Sequence, residues 1–127
     1  MIVSSAFTRN QGLQFQKTLM MTQIRLEDTF MDIAQMCKDQ NVVVLIDRGL
    51  LDGSAYVDQD TWDSVLDEMN SNQVKLRDER YDGVLHMVTA ADGAEEFYAS
   101  LSNEARYESK DEAIEKDMKL RKAYMGH

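Results

Sequence analysis

The chain has 127 residues, enough for one domain, and its 43% hydrophobic and 29% charged residues exclude a fully disordered protein. Its formal net charge of −9 argues against non-specific binding of nucleic acid or anionic lipid, since both rely on basic residues that neutralise phosphate. A single cysteine excludes an internal disulfide. Together with the lack of a signal-peptide pattern or a long apolar run, it predicts a cytoplasmic protein.

The N-terminal part predicts a flexible segment, residues 1–12, followed by one domain over residues 13–127. A long helix is predicted at residues 13–38, because apolar residues recur at three- and four-residue intervals without an internal Gly or Pro. This apolar stripe is broad, so we expect the helix to pack against more than one neighbour. Its members are Phe15, Leu19, Ile24, Phe30, Ile33, Ala34 and Cys37.

Two later segments, residues 42–46 and 84–89, are short apolar runs. Runs without polar alternation are typical of strands that are buried on both faces of a parallel sheet. Helices are predicted at residues 61–69, where Asp58 and Asp60 are available as caps, at 94–99, and at 109–125, which opens with an S-x-x-E capping box. This alternation predicts an α/β fold, a parallel sheet flanked by helices, and two strands alone make that sheet incomplete.

The best candidate for chemistry is Asp47, which directly follows the first predicted strand. An apolar run that ends in Asp is the Walker B pattern, in which the carboxylate holds Mg²⁺ opposite nucleotide phosphates. The same pattern fits an aspartate that caps the following turn. Arg48 comes next and is suited either to an ion pair or to a phosphate. The phosphate-loop motif itself is absent, because none of the six glycines is followed by Lys-Ser or Lys-Thr.

Other residues predict structural roles. His86 lies in the second predicted strand and is interpreted as a core histidine, and the charged run at residues 77–80 as a solvated face of a long connection.

A set of motifs runs through the chain from about residue 13 onward, and residues 76–98 are the most distinctive part. Together the motifs resemble the P-loop NTPase domain of the NadR-like AAA proteins and the TRPL translocation-defect GTP-binding proteins. The resemblance implies a partial P-loop NTPase fold, like that of nucleotide kinases, from which the first strand and the phosphate loop are missing. The other motifs are Phe15-Gln16-Lys17 with Gln23 and Glu27, residues 42–49 with Asp52, residues 59–62 and residues 103–127.

The resemblance also implies ATP or GTP as ligand, together with Mg²⁺. It implies that Asp47 is the Walker B carboxylate that binds the metal and that Arg48 lies near the transferring phosphate. It further implies that Arg106 is a lid arginine that stabilises phosphate charge, with Glu108 and Asp117 in support. Because the phosphate loop is absent, we expect the chain alone to bind nucleotide weakly or not at all, and to hydrolyse none.

Two other functions stay open at this point. One is a non-catalytic interaction module that self-associates, with the helix at residues 13–38 as the partner helix. The other is a kinase-like phosphotransferase for a small nucleoside-type substrate, which rests on fold analogy alone. Apolar surface left without neighbours favours association, so we expect a homo-oligomer, with neither nucleic acid nor membrane lipid as a partner.

Overall fold

The computed structural model describes residues 8–93 and 109–125, and the chain divides into two compact units between Arg80 and Tyr81. The described part of the first unit holds three α-helices and one 3₁₀ helix, and the described part of the second unit holds one α-helix. The elements are α1 (Arg9–Met36), the 3₁₀ helix (Leu50–Ala55), α2 (Gln59–Glu68), α3 (Gln73–Arg77) and α4 (Lys110–Met125).

The long helix α1 is confirmed, but it begins one turn earlier than the predicted residue 13. The reason is a capping box in which the Gln11 backbone N–H donates to Thr8 Oγ1 at 3.3 Å and the Thr8 N–H donates to Gln11 Oε1 at 2.9 Å. This box satisfies two of the backbone donors that a helix leaves unpaired at its N-terminus. The T-x-x-Q signal is present in the sequence and sets the helix start.

The predicted α/β fold is wrong for the described residues, which are 63% helical and contain no strand, so a parallel sheet is not formed. Residues 42–46 and 84–89 are irregular, and their side chains are largely exposed, with Leu45 87% and Leu85 89% exposed. The physical reason is pairing. A strand needs a hydrogen-bonded neighbour, and the described part of each unit holds no second strand with which its apolar run could pair.

The helical period of α1 is correct, but the buried face differs from the predicted stripe. The buried positions are Gln16, Met20 and Glu27, whereas Leu19 and Phe30 are half exposed. Glu27 is buried there because Gln23 and Arg80 bind its carboxylate, and Gln16 is buried by the close approach of Gly53.

The core of the first unit forms where the 3₁₀ helix and α2 pack against α1. Asp58 caps α2 as predicted, since Asp58 Oδ1 accepts from the Thr61 N–H at 2.9 Å. The predicted connection at residues 70–80 contains α3, which begins at an Asn72 cap. Among the described residues, the most deeply buried large side chains are Met20, Leu50, Leu51, Trp62 and Val65.

In the second unit, the capping box that opens α4 is confirmed. The Ser109 N–H donates to Glu112 Oε2 at 2.7 Å, and the Glu112 N–H donates to Ser109 Oγ at 3.3 Å. The helix predicted at residues 94–99 lies outside the described residues. Among the helices described, none is long and apolar enough to cross a membrane.

Candidate functional site

The loop between α1 and the 3₁₀ helix contains the two adjacent residues that the sequence selects, Asp47 and Arg48. Arg48 has a left-handed backbone with φ of 74°, a conformation that costs a side-chain-bearing residue roughly 1–2 kcal/mol. The other non-glycine residue with positive φ in the described ranges is Asn70, a type that tolerates this region. Arg48 is therefore the unusual case, and such strain persists only where the surrounding structure enforces it.

A glutamine on α1 holds the strained peptide in place. Gln23 Nε2 donates to the Arg48 carbonyl oxygen at 2.7 Å and to Glu27 Oε1 at 2.9 Å. Gln23 therefore links the loop to the face of α1 that packs against the rest of the first unit.

Arg80, three residues beyond the end of α3, anchors the same face of α1. Its Nε donates to Glu27 Oε2, and its Nη2 donates to Asp28 Oδ1 at 2.8 Å and to the Ile24 carbonyl at 3.1 Å. Burial alone lowers the pKa of Arg80, but the hydrogen bonds and charges of Glu27 and Asp28 outweigh burial and raise this pKa. The guanidinium therefore stays charged and pairs with a buried carboxylate.

The Arg48 side chain points a charge into solvent. Its Nη1 lies 3.4 Å from Asp52 Oδ2, and 63% of the side chain is exposed. Burial alone lowers the pKa of Arg48, but Tyr56, Asp52 and Asp47 outweigh burial and raise this pKa. Asp47 is also exposed, so the Arg48 guanidinium and the Asp47 carboxylate lie next to each other on the surface of the loop.

The 3₁₀ helix that follows the loop packs unusually close to α1. A Cβ placed on Gly53 would lie 1.9 Å from Gln16 Nε2 and 3.2 Å from Trp62 Cζ3. Only glycine fits here without displacement of a buried neighbour. This close contact fixes the distance between α1 and the 3₁₀ helix that follows Arg48.

The remaining predicted site residues are not brought to this loop by the described structure. Arg106 and Glu108 lie outside the described residues. Asp117 lies on α4 in the second unit, where its Oδ1 accepts from the Thr89 N–H at 3.1 Å. The same oxygen is 3.4 Å from His86 Nε2, which is buried without a hydrogen bond in the described structure. His86 is therefore a half-buried residue of the second unit. The predicted core histidine with satisfied hydrogen bonds is not seen, because its Nε2 has no hydrogen-bond partner in the described structure.

Two residues that hold the α1 face do not stand out in the sequence. The charged run at residues 77–80 predicts a solvated face, and this prediction is wrong for Arg80, which binds Glu27. Gln23 lies at helical intervals from Gln16 and Glu27, and this polar line on α1 is the sequence signal for it.

The described ranges contain no cluster of three or more His, Cys, Asp or Glu side chains that could hold a metal ion.

A model of the AAA domain family matches residues 1–127. The chain therefore belongs to the AAA domain family, a family of the P-loop NTPase type. No curated protein matches the chain. No solved structure matches it either.

Proposed function

We propose that the loop at Asp47 and Arg48 is one edge of a nucleotide-phosphate site, and that the ligand is ATP or GTP. The observation that supports this proposal most strongly is the strained backbone of Arg48, which Gln23 holds by a hydrogen bond. Strained residues of this kind cluster at active sites and ligand-binding sites. Family membership supports a nucleotide as the class of ligand.

The side chain of Arg48 is available for a phosphate at low cost. Its partner Asp52 lies at 3.4 Å in an ion pair whose arginine side chain is 63% exposed, and long pairs open to solvent contribute about 0–1 kcal/mol. A phosphate offers a guanidinium two parallel charge-assisted hydrogen bonds, which are stronger than the exposed pair. Exchange of Asp52 for a phosphate oxygen is therefore favourable locally.

Asp47 fits the role of a carboxylate for nucleotide-bound Mg²⁺. This ion is usually held by one or two carboxylates plus substrate phosphates and water, so a lone exposed carboxylate beside a phosphate-binding arginine is a suitable donor set. When bound, Mg²⁺ would neutralise phosphate charge. Asp47 would orient the metal–nucleotide complex, and Arg48 would bind the phosphate oxygens.

The affinity of the chain alone is proposed to be weak, in the millimolar range. The net charge of −9 repels a polyphosphate at long range, and no glycine-rich loop is present to surround the phosphates with backbone N–H groups. For the same reason we propose that the chain alone hydrolyses neither ATP nor GTP. Arg106 is proposed to add positive charge to the same phosphates. The narrower relationship to NadR-like and translocation-defect proteins remains part of this proposal.

The test is a titration of the isotope-labelled chain with Mg·ATP and Mg·GTP, followed by amide chemical shifts. The expected result is saturable shifts centred on residues 47–52. Arg48→Gln should weaken binding about tenfold or more, because a hydrogen bond to a charged group contributes roughly 1.5–3 kcal/mol. Arg25→Gln, which removes the same charge from an exposed position on α1, is the matched control and should bind like the wild type. Shifts located elsewhere, or equal losses in both variants, would reject the site.

A further inference from the structure

An exposed apolar line on α1 has no part in the phosphate site. Four side chains, Leu19, Leu26, Phe30 and Ile33, are between 49% and 57% exposed. At about 100° per residue, they lie within a sector of roughly 60°, about a quarter turn from the buried face of α1. We name these four residues the α1 apolar stripe. Its length and narrow width are typical of a helix face that packs against another helix.

The threonines along one edge of the stripe can be buried without leaving a hydroxyl donor unpaired. Thr18, Thr22 and Thr29 follow one edge, and each hydroxyl donates to the carbonyl four residues earlier, at 2.8, 2.9 and 2.8 Å. Their hydroxyls are therefore already satisfied within the helix. A partner that covers this edge meets methyl groups and leaves no buried donor unpaired.

The stripe is also the uncharged side of the helix. At about 100° per residue, every charged side chain of α1 lies roughly a quarter turn or more from the centre of the stripe. In a chain with a net charge of −9, this is where a second copy can approach with the least repulsion. The charged residues of α1 are Arg9, Lys17, Arg25, Glu27, Asp28 and Asp32.

We propose that the stripe pairs α1 with α1 of a second copy, in antiparallel orientation. The first turn of α1 contains no acidic residue and the last turn no basic residue, so neither end of the helix dipole is compensated by its own side chains. Antiparallel pairing keeps like helix ends apart and brings the positive end of each helix to within about two turns of the negative end of the other. The twofold axis then passes at Leu26, the midpoint of the stripe, and Leu19 faces Ile33 of the second copy.

The stripe predicts a weak dimer. Its four half-exposed side chains offer roughly 400 Å² per copy, on a scale where a whole aromatic side chain buries about 150–250 Å². With the threonine edge, two copies bury on the order of 1,000 Å², the lower limit for a specific interface. We therefore expect a dissociation constant in the micromolar range.

Sedimentation equilibrium across the micromolar range tests the pairing, with Leu26→Asp as the disrupting variant. Met21→Asp is the matched control, since Met21 is also on α1 and 55% exposed, against 57% for Leu26, but lies outside the stripe. Leu26→Asp should weaken the dimer more than about 100-fold, because two leucines lose their burial at the axis. Met21→Asp should associate like the wild type. A monomeric wild type, higher oligomers, or equal effects of the two variants would overturn the proposal.

Thiol cross-linking tests the orientation, because it reports which residues of the two copies lie close together. Cys37 is exposed and directly follows the last residue of α1. At about 100° per residue, it lies on the same side of the helix as the α1 apolar stripe. In an antiparallel pair, the two Cys37 residues lie at opposite ends, roughly 30 Å or more apart at 1.5 Å per residue. A short bifunctional thiol reagent should therefore join the double variant Leu26→Cys/Cys37→Ser into dimers and leave the wild type uncoupled. Coupling through Cys37, or none at residue 26, would overturn the antiparallel arrangement.

Discussion

Gly53→Ala tests whether the close approach of the 3₁₀ helix to α1 is as tight as the structure shows. The added methyl carbon would lie 1.9 Å from Gln16 Nε2, 3.0 Å from Gln16 Cδ and 3.2 Å from Trp62 Cζ3. The Gln16 amide must move away, although this residue is only 6% exposed, and the Trp62 ring, only 1% exposed, cannot yield.

Overpacking of this kind costs about 1–3 kcal/mol. We expect a loss near 2 kcal/mol in the free energy of unfolding, because one neighbour is a side-chain end that can rotate and the other is a fixed ring. Urea denaturation followed by Trp62 fluorescence measures this loss as a lower midpoint at unchanged slope. Gly83→Ala is the control. A Cβ on Gly83 has nothing within 4 Å, and we expect a change below about 0.5 kcal/mol.

The double variant Gly53→Ala/Gln16→Ala identifies the contact responsible. Truncation of Gln16 removes both of the closest atoms, so the two changes should be non-additive by about 1 kcal/mol, with the pair less damaging than the sum. A Gly53→Ala protein as stable as the wild type would refute the close approach. Full additivity would show that the clash lies elsewhere.

Three further predictions concern anchors and caps. Arg80→Met should lower the free energy of unfolding by about 3 kcal/mol, because Glu27 is only 5% exposed and loses the arginine that neutralises it. Arg25→Met, at an exposed position, should leave the free energy of unfolding nearly unchanged in the same urea denaturation assay. Hydrogen bonds from Thr61 lower the pKa of Asp58 below its ordinary 3.8, so the capping contribution of Asp58 is full above that pH and is lost as pH falls through the lowered value. A urea midpoint measured from pH 5 down to pH 2 should therefore fall less steeply for Asp58→Asn, and an unchanged slope would contradict this role. Ser109→Ala should weaken the start of α4 by about 1 kcal/mol, seen as lost helical circular dichroism, and undiminished signal would show that the capping box is not needed.

The elements that could be predicted from the sequence are those with local signals. The Asp58 cap of α2 and the Ser109 capping box of α4 depend on residues three positions apart, and both are confirmed. The period of α1 is likewise a local property. The buried face of α1 is not a local property, because only the packed structure shows that Arg80 binds Glu27 and that Gly53 approaches Gln16 closely.

The predicted sheet failed because strand pairing is non-local. The apolar runs at residues 42–46 and 84–89 have strand composition, but composition does not supply a hydrogen-bonded neighbour. The candidate site was predictable only as adjacent residues, Asp47 and Arg48. The left-handed backbone of Arg48 and the Gln23 hydrogen bond that holds it depend on residues far apart in the chain. The role of Arg106 stays a prediction.

The most direct test of the central claim is Arg48→Gly, measured for stability and for nucleotide binding in the same preparation. Glycine adopts positive φ without strain, and even after its greater freedom in the unfolded chain is counted, the variant should be about 0.5 kcal/mol more stable than the wild type. The chemical-shift response of residues 47–52 to Mg·ATP and Mg·GTP should be lost in the same variant. The predicted result is higher stability together with lost nucleotide binding. A variant that keeps the nucleotide response would contradict the claim that the Arg48 side chain binds phosphate, and a variant less stable than the wild type would contradict the claim that the Arg48 backbone is strained.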